Sequence, residues 1–100
     1  MRVTQYWPDK SDPNTDSNTR NRIGFYDNPL TDCSCALTVD AQAYLNVKRG
    51  DLVIIDFGHG RVFKRYFHDR CPKYSEPRVD LFQVNGFDKS LPDYAFVRAA

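Results

Sequence analysis

The clearest pattern of apolar and polar positions lies in the middle of the chain. The run LVIID at 52–56 is apolar up to its last residue and is bounded by turn residues, the pattern of a buried strand. The following FGHG supplies Gly58 and Gly60 for a tight reversal, and RVFKRYFHD at 61–69 returns as a second strand. The sequence therefore predicts a β-hairpin here, with a glycine of its tip at positive φ.

Shorter strand patterns lie on both sides of this hairpin. In RVDLF, the two-residue period of a strand places Asp80 and Phe82 on one face and Val79 and Leu81 on the other. An Asn-Gly turn follows, after which the last strand is expected to close the sheet against the first. The strand segments outside the hairpin are VTQY at 3–6, a short strand with a turn at Asn28-Pro29 in RIGFYDNPLTD at 22–32, CSCALTV at 33–39, RVDLFQV at 78–84 and YAFVR at 94–98.

Two segments between the strands have other compositions. The stretch DAQAYLNV has helix-like composition, and Asp40 can cap it by accepting hydrogen bonds from amides two or three residues on. Residues 8–22 contain two prolines and many polar residues, which is typical of a long solvated loop. This loop either binds a partner or is an inert part of the surface, and the sequence leaves both interpretations open.

Three aspartates stand at the ends of strand-like segments: Asp40 after ALTV, Asp69 in RVFKRYFHDRCP and Asp80 in RVDLF. A carboxylate that is buried or faces a cleft is costly unless it is paired, hydrogen-bonded or used in chemistry. The order and spacing of these segments resembles the three-aspartate domain of the membrane-bound type A lytic transglycosylases of peptidoglycan. The resemblance implies a mainly β fold over residues 1–100, a small six-stranded double-psi β-barrel with one or two short helical turns.

The stretch HDRCPKYSEPRVDLF is about as similar to the expansin, barwin and rare-lipoprotein-A side of the double-psi barrels. In that group an aspartate is followed by Cys-Pro and later by an IDLS strand, and its binding-only members act on polysaccharide without evident hydrolysis. The transglycosylases instead have a run of glycines after the aspartate, where this chain has Arg70, Cys71 and Pro72 after Asp69. The resemblance therefore supports the fold more strongly than the activity.

The resemblance assigns the catalytic role to Asp69, with Asp80 in support. Cleavage of a glycosidic bond needs a general acid at the leaving oxygen, and in lytic transglycosylases the 6-hydroxyl of muramic acid is the nucleophile. Two carboxylates close together raise the pKa of one of them, as a general acid at neutral pH requires. Alternatively, Asp69 accepts amide hydrogen bonds and holds the fold together without taking part in catalysis. The candidates for substrate binding are Asp40, Tyr44, Tyr66 and His68.

Composition restricts the class of partner. A chain of 100 residues is long enough for one domain with one core. The 14 basic and 13 acidic residues give a net charge of +1, which argues against a nucleic-acid partner, and no apolar run is long enough for membrane insertion. Aromatic residues make up 14% of the chain and either fill the core or line a sugar-binding groove. The expected partners are peptidoglycan glycan strands or neighbouring virion proteins.

The three cysteines, Cys33, Cys35 and Cys71, do not form a recognisable metal site. A zinc site would need His59 or His68 from positions of no standard spacing, so we expect no metal and no cofactor. The one-residue gap between the first two cysteines is too tight for an easy local bridge. Free thiols, or one cross-strand disulfide with a leftover thiol, both fit this count.

The start of the chain bears on localisation. Met1–Thr4 runs directly into a strand, without the charged and apolar regions of a signal peptide. A wall-directed domain of this kind is typical of a bacteriophage virion protein, delivered to the cell wall or periplasm on release; a chain shortened at its N-terminus is the alternative explanation. Two functions are expected: a lytic transglycosylase, or a non-catalytic structural or binding module of a phage tail or baseplate.

Overall fold

The computed structural model describes residues 1–9, 11–12, 15, 17–26 and 28–100. These residues form a β-rich structure of six strands and two short helices. In chain order the elements are β1 (Arg2–Tyr6), α1 (Ser17–Arg20), β2 (Ser34–Leu37), α2 (Val39–Leu45), β3 (Leu52–Asp56), β4 (Val62–Arg70), β5 (Arg78–Phe82) and β6 (Phe96–Ala99).

All six strands belong to one mixed sheet, in the order β1-β5-β2-β4-β3-β6. The β1–β5 and β2–β4 pairs are parallel, and an antiparallel β2–β5 pair lies between them. Strands β3, β4 and β6 form an antiparallel group at the other end. The sheet is not closed, because over the described residues β1 and β6 share no strand ladder.

The last strand does not pair with the first as its position predicts. Phe96–Ala99 pairs with β3, whereas the segment just before it meets the start of the chain through an isolated bridge between Arg2 and Tyr94 and through backbone hydrogen bonds of Met1 and Val3. The sequence prediction fails here because YAFVR divides its backbone hydrogen bonds between two neighbours. The residues before β6 bond to β1, and those within β6 bond to β3.

The core lies on one face of the sheet and beneath α2. The predicted alternation along β5 is confirmed on this face, since Val79 and Leu81 are fully buried within the core. Burying such side chains contributes about 1.5–3 kcal/mol each. The buried residues that pack together are Val3, Cys35, Leu37, Ala41, Leu45, Val47, Val53, Ile55, Phe67, Val79, Leu81 and Leu91.

The predicted hairpin is confirmed as β3 and β4. Its tip carries positive φ at Gly58 (84°), His59 (55°) and Gly60 (79°), so the chain reverses through three successive left-handed residues. Glycine adopts this conformation at little cost, which explains two of the three positions.

The helix α2 begins one residue earlier than its composition suggests, and Thr38 is its N-cap. Thr38 has extended backbone angles and its hydroxyl accepts a hydrogen bond from the amide of Ala41. Asp40 instead lies in the first turn, where its carboxylate also accepts from Ala41, at 2.9 Å. The prediction of Asp40 as the cap is wrong because Thr38 is buried in the right conformation, but a carboxylate in the first turn still favours the helix.

The connection from β1 to β2 is irregular. The short strand predicted in RIGFYDNPLTD is absent from the described residues of that segment, because Ile23 forms an isolated bridge with Pro29 and the Gly24 amide bonds to the Asn28 carbonyl within a tight loop. The short helix α1 lies in the predicted loop 8–22. Residues 10, 13, 14 and 16 of that loop, and residue 27, lie outside the described part of the chain.

A bulge in the β2–β4 pairing decides where Asp69 points. Cys35 pairs with Phe67, but the next residue, Ala36, pairs with Asp69, so His68 is an extra residue in β4. Side chains alternate along a strand, and without the bulge Phe67 and Asp69 would lie on the same face. Phe67 is in the core, whereas Asp69 lines a cavity on the opposite face. The bulge therefore turns Asp69 out of the core.

Candidate functional site

A cavity of about 350 Å³ lies on the face of the sheet that points away from the core. Ala36 lies at its base, between the core residues Cys35 and Leu37, whose side chains point the other way. Residues of the loop after β1 form another wall, so the segment 8–22 contributes directly to this cavity. The wall residues used below are Tyr6, Trp7, Asp69, Cys71, Tyr74 and Asp80.

Two of the three aspartates, Asp69 and Asp80, face this cavity from the two strands that flank β2. Ala36 is the register partner of Asp69 on β4 and also of Asp80 on β5. Because adjacent strands lie about 4.8 Å apart, the backbones of the two aspartates are separated by about 10 Å. Thr4 on β1 continues this row as the register partner of Asp80.

Asp69 is held by three hydrogen bonds to protein donors. The Tyr6 hydroxyl donates to Oδ2 at 2.8 Å, and the backbone amides of Phe25 and Arg70 donate to Oδ1. The side chain is buried, with 8% of its surface exposed. Both carboxylate oxygens therefore act as acceptors that join β1, β4 and the loop at 22–30.

Asp80 has a different environment on the same cavity. Burial raises the pKa of its carboxyl group to about 7, and the neighbouring Asp69 carboxylate acts in the same direction. A 3.0 Å hydrogen bond from the Thr4 hydroxyl and the charge of Arg78 oppose this shift. Near neutral pH a substantial fraction of Asp80 therefore carries a proton that it can donate.

Tyr6 connects the two halves of the site. Burial raises the pKa of its hydroxyl far above the usual range, and Asp69 adds to this effect, so Tyr6 remains a neutral donor. Its ring packs edge-on against Phe82 at a centroid distance of 5.1 Å. The ring and the hydroxyl together fix the position of Asp69 relative to β1.

The cysteines are free thiols in the structure. Cys71 is buried in the cavity wall and Cys35 in the core, and burial raises the pKa of each thiol to about 12. At neutral pH both groups are protonated and therefore poor nucleophiles and poor metal ligands. Among the described residues, no group of three or more His, Cys, Asp and Glu side chains is placed to hold a metal ion.

A second cavity of about 470 Å³ adjoins the first. The two share Thr19 and the segment 69–72, which therefore forms a rim between them. On its far side the second cavity is lined by α1, Ile23 and Phe25. Its described lining carries one basic side chain, Arg70, and one acidic one, Asp69.

The four predicted substrate-binding residues lie outside both cavities. Asp40 and Tyr44 are exposed on α2, and Tyr44 has 78% of its surface exposed. Tyr66 and His68 stack on each other on β4, with ring centroids 5.6 Å apart. His68 also shares a 3.0 Å hydrogen bond with the Ser34 hydroxyl, and burial lowers its pKa. The structure thus brings together Asp69 and Asp80 but none of these four with them.

Several site residues were not predicted from the sequence. Thr4 and Ala36 could have been found, because the two-residue period places them on the faces opposite Val3 and Cys35. Phe25 comes from an irregular loop, and Arg70 contributes its backbone amide at the last position of β4, so neither gave such a signal. No helix in the described part of the chain is long and apolar enough to cross a membrane. Compared with protein-family models, curated proteins and solved structures, the chain matches none.

Proposed function

We propose that this chain is a peptidoglycan-directed domain, associated with a virion or a cell wall, that cleaves glycan strands as a lytic transglycosylase. In this proposal Asp80 is the general acid and Asp69 is a positioning residue, the reverse of the emphasis that the sequence suggests. The observation that carries the proposal is a contrast between two carboxyl groups that line one cavity. Asp69 accepts three hydrogen bonds from the protein, whereas burial raises the pKa of Asp80 to about 7. Paired carboxyl groups whose environments separate their proton affinities are typical of glycosidases.

The strand topology supports a more specific fold within this proposal, a double-psi β-barrel. The two parallel strand pairs on either side of an antiparallel pair, with the crossing connections that they require, fit that topology. The bridge between Arg2 and Tyr94 marks the place where a barrel would close. We propose that β1 and the segment before β6 complete the barrel at this point.

The proposed reaction needs one titrating group. Asp80 donates its proton to the glycosidic oxygen, the bond from the muramic acid C1 to that oxygen breaks, and the 6-hydroxyl oxygen of the same sugar bonds to C1. The proton of that hydroxyl returns to Asp80, so no water is consumed and a 1,6-anhydro sugar results. One carboxyl group with a pKa near 7 can serve as acid and then as base in these steps.

Purified sacculi provide the test. Wild-type protein is expected to release anhydro-muropeptides, and Asp80→Asn is expected to abolish the release while keeping the melting temperature, because an amide cannot donate the proton. Asp40→Asn makes the same chemical change on an exposed helix and is expected to keep full activity. A wild-type protein that binds sacculi but releases no anhydro product would refute the enzymatic proposal.

The second candidate function is a non-catalytic structural or binding module of a phage tail or baseplate. The observation that favours it is the full engagement of Asp69, whose three hydrogen bonds hold a loop to the sheet. Under this proposal Asp69→Asn lowers the free energy of unfolding by about 1–3 kcal/mol and there is no glycan cleavage to lose. The two candidates therefore differ in the sacculus assay.

A further inference from the structure

The second cavity has a chemistry that the cleavage reaction does not use. Its rim carries Arg70, an exposed side chain that follows directly after Asp69. Asp69 accepts hydrogen bonds from Tyr6 and from two backbone amides, and none of these comes from the Arg70 guanidinium. Among the described residues no carboxylate lies within ion-pair distance of that guanidinium.

The Arg70 guanidinium is nevertheless held in place. It lies over the ring of Phe25, 5.2 Å from the ring centroid. Phe25 packs edge-on against Tyr26, which packs edge-on against the core residue Phe67, with centroid distances of 5.2 and 5.8 Å. A row of aromatic rings thus connects the arginine to the core, which reduces the entropy lost when the arginine binds a ligand.

A guanidinium that is fixed, charged and without a carboxylate partner among the described residues fits one class of ligand. Its planar fork of N–H donors matches a carboxylate, which accepts two parallel hydrogen bonds. Asp69, whose carboxylate already accepts three hydrogen bonds, is the acidic member of the described lining. The other described residues, with Ser17, Asn18 and Ile23 among them, are neutral and mixed in polarity, like a surface that contacts a sugar or a short peptide.

We propose that the second cavity is a binding site for a carboxylate-bearing part of the glycan, with Arg70 as the carboxylate ligand. This inference rests on the proposed function, because peptidoglycan carries carboxylates that chitin lacks. They are the lactyl carboxylate of muramic acid, where the stem peptide is missing, and the carboxylates of the stem peptide itself. The rim shared by both cavities would place this group beside the sugar whose glycosidic oxygen Asp80 protonates.

Binding measurements on small probes test the site apart from cleavage. N-acetylmuramic acid carries the lactyl carboxylate, muramyl dipeptide carries stem-peptide carboxylates, and chitin oligomers are neutral. The wild-type protein is expected to bind one or both acidic probes, with shifts of the Phe25 and Arg70 amide resonances, and to bind chitin oligomers at least about tenfold more weakly. The probe that binds more tightly identifies which carboxylate is recognised.

Variants of the arginine complete the test. Arg70→Gln is expected to weaken binding of the acidic probe about tenfold and to leave chitin binding unchanged, and Arg70→Lys is expected to recover part of the loss. Arg49→Gln is the matched control, because Arg49 also lies 5.2 Å from an aromatic ring centroid, that of Tyr26, but lines neither cavity.

The outcomes separate this inference from the proposed function. Sacculus cleavage that is unaffected by Arg70→Gln, together with equal affinity of the variant and the wild type for the acidic probes, overturns the inference and leaves the enzymatic function intact. Arginine-dependent binding of an acidic probe without cleavage supports the site and refutes the enzyme. Equal losses in Arg70→Gln and Arg49→Gln would show a general effect of charge and overturn the assignment of Arg70.

Discussion

The Tyr6 hydroxyl donates a 2.8 Å hydrogen bond to Asp69, joining strands that are not neighbours in the sheet. In the strand order, β5 and β2 lie between the strands of these two residues. The bond therefore crosses the sheet from β1 to β4, and both of its residues line the cavity. It also leaves Asp69 committed as an acceptor, which is why we propose Asp80 as the proton donor.

Loss of this hydrogen bond is expected to destabilise the protein. Tyr6→Phe keeps the ring contact with Phe82 but leaves a buried carboxylate oxygen of Asp69 without its donor, so the free energy of unfolding is expected to fall by about 1–3 kcal/mol. Urea denaturation measures this change. Tyr44→Phe removes a hydroxyl from a side chain that is 78% exposed and is expected to change stability little. Equal stability of Tyr6→Phe and the wild type would contradict the assigned role of Tyr6.

The raised pKa of Asp80 predicts a specific dependence of stability on pH. The pKa is about 7 in the folded protein against 3.8 for the free group, so the folded state binds more protons between these values. The stability contributed by protonated Asp80 is fully present below about pH 4 and is lost as the pH rises through about 7. The free energy of unfolding is therefore expected to decrease over this range.

The comparison with Asp80→Asn isolates this effect. His68 has the opposite tendency, because burial lowers its pKa and stability from that source falls as the pH decreases. Because His68 is present in both proteins, its contribution cancels when the free energy of unfolding of Asp80→Asn is subtracted from that of the wild type. The difference is expected to retain the decrease towards pH 7. The Asp40→Asn variant is expected to keep the wild-type profile. Identical profiles for wild type and Asp80→Asn would show that Asp80 has an ordinary pKa.

Gly24 is expected to be the glycine whose substitution most affects the site. A Cβ atom there would lie 2.4 Å from the His68 carbonyl oxygen and 3.2 Å from Leu30, so Gly24→Ala must displace the loop. We expect a loss of about 1–3 kcal/mol in stability from overpacking, and a shift of the Phe25 amide resonance as its hydrogen bond to Asp69 is disturbed.

A glycine of a different kind serves as the control for Gly24→Ala. Gly58 has open space around its Cβ position but a φ of 84°, so Gly58→Ala is expected to cost about 1 kcal/mol through backbone strain alone. The Phe25 resonance should then stay in place. A shift of that resonance in Gly58→Ala, or none in Gly24→Ala, would count against the packing argument.

The sequence predicted those parts of the fold that depend on local periodicity. The hairpin of β3 and β4 and the buried alternation of Val79 and Leu81 follow from apolar patterns that need no knowledge of distant residues. Asp80 was placed on the face away from the core for the same reason. These predictions hold because each strand has one face in the core.

The features that the sequence did not predict depend on contacts distant in the chain. The amide of Phe25 reaches Asp69 from an irregular loop 44 residues earlier in the chain, and no periodic pattern marks an amide. Thr38 caps α2 in part because its hydroxyl also accepts from the Arg78 amide, 40 residues away. The bulge at His68 could not be predicted, because the pattern of KRYFHD fits a regular strand equally well.

That bulge makes the chemistry of β4 depend on a count of residues as well as on their identity. If the bulge were lost with every residue kept, His68 would pair with Ala36 and Asp69 would turn to the core face; removal of His68 would instead leave Ala36 paired with Asp69 in a regular ladder. A substitution scan of β4 would not detect this dependence, since each position would be tested in its existing register. Deletion of His68 should therefore be far better tolerated than deletion of a β4 residue that pairs regularly, although both would leave the two aspartates in the sequence.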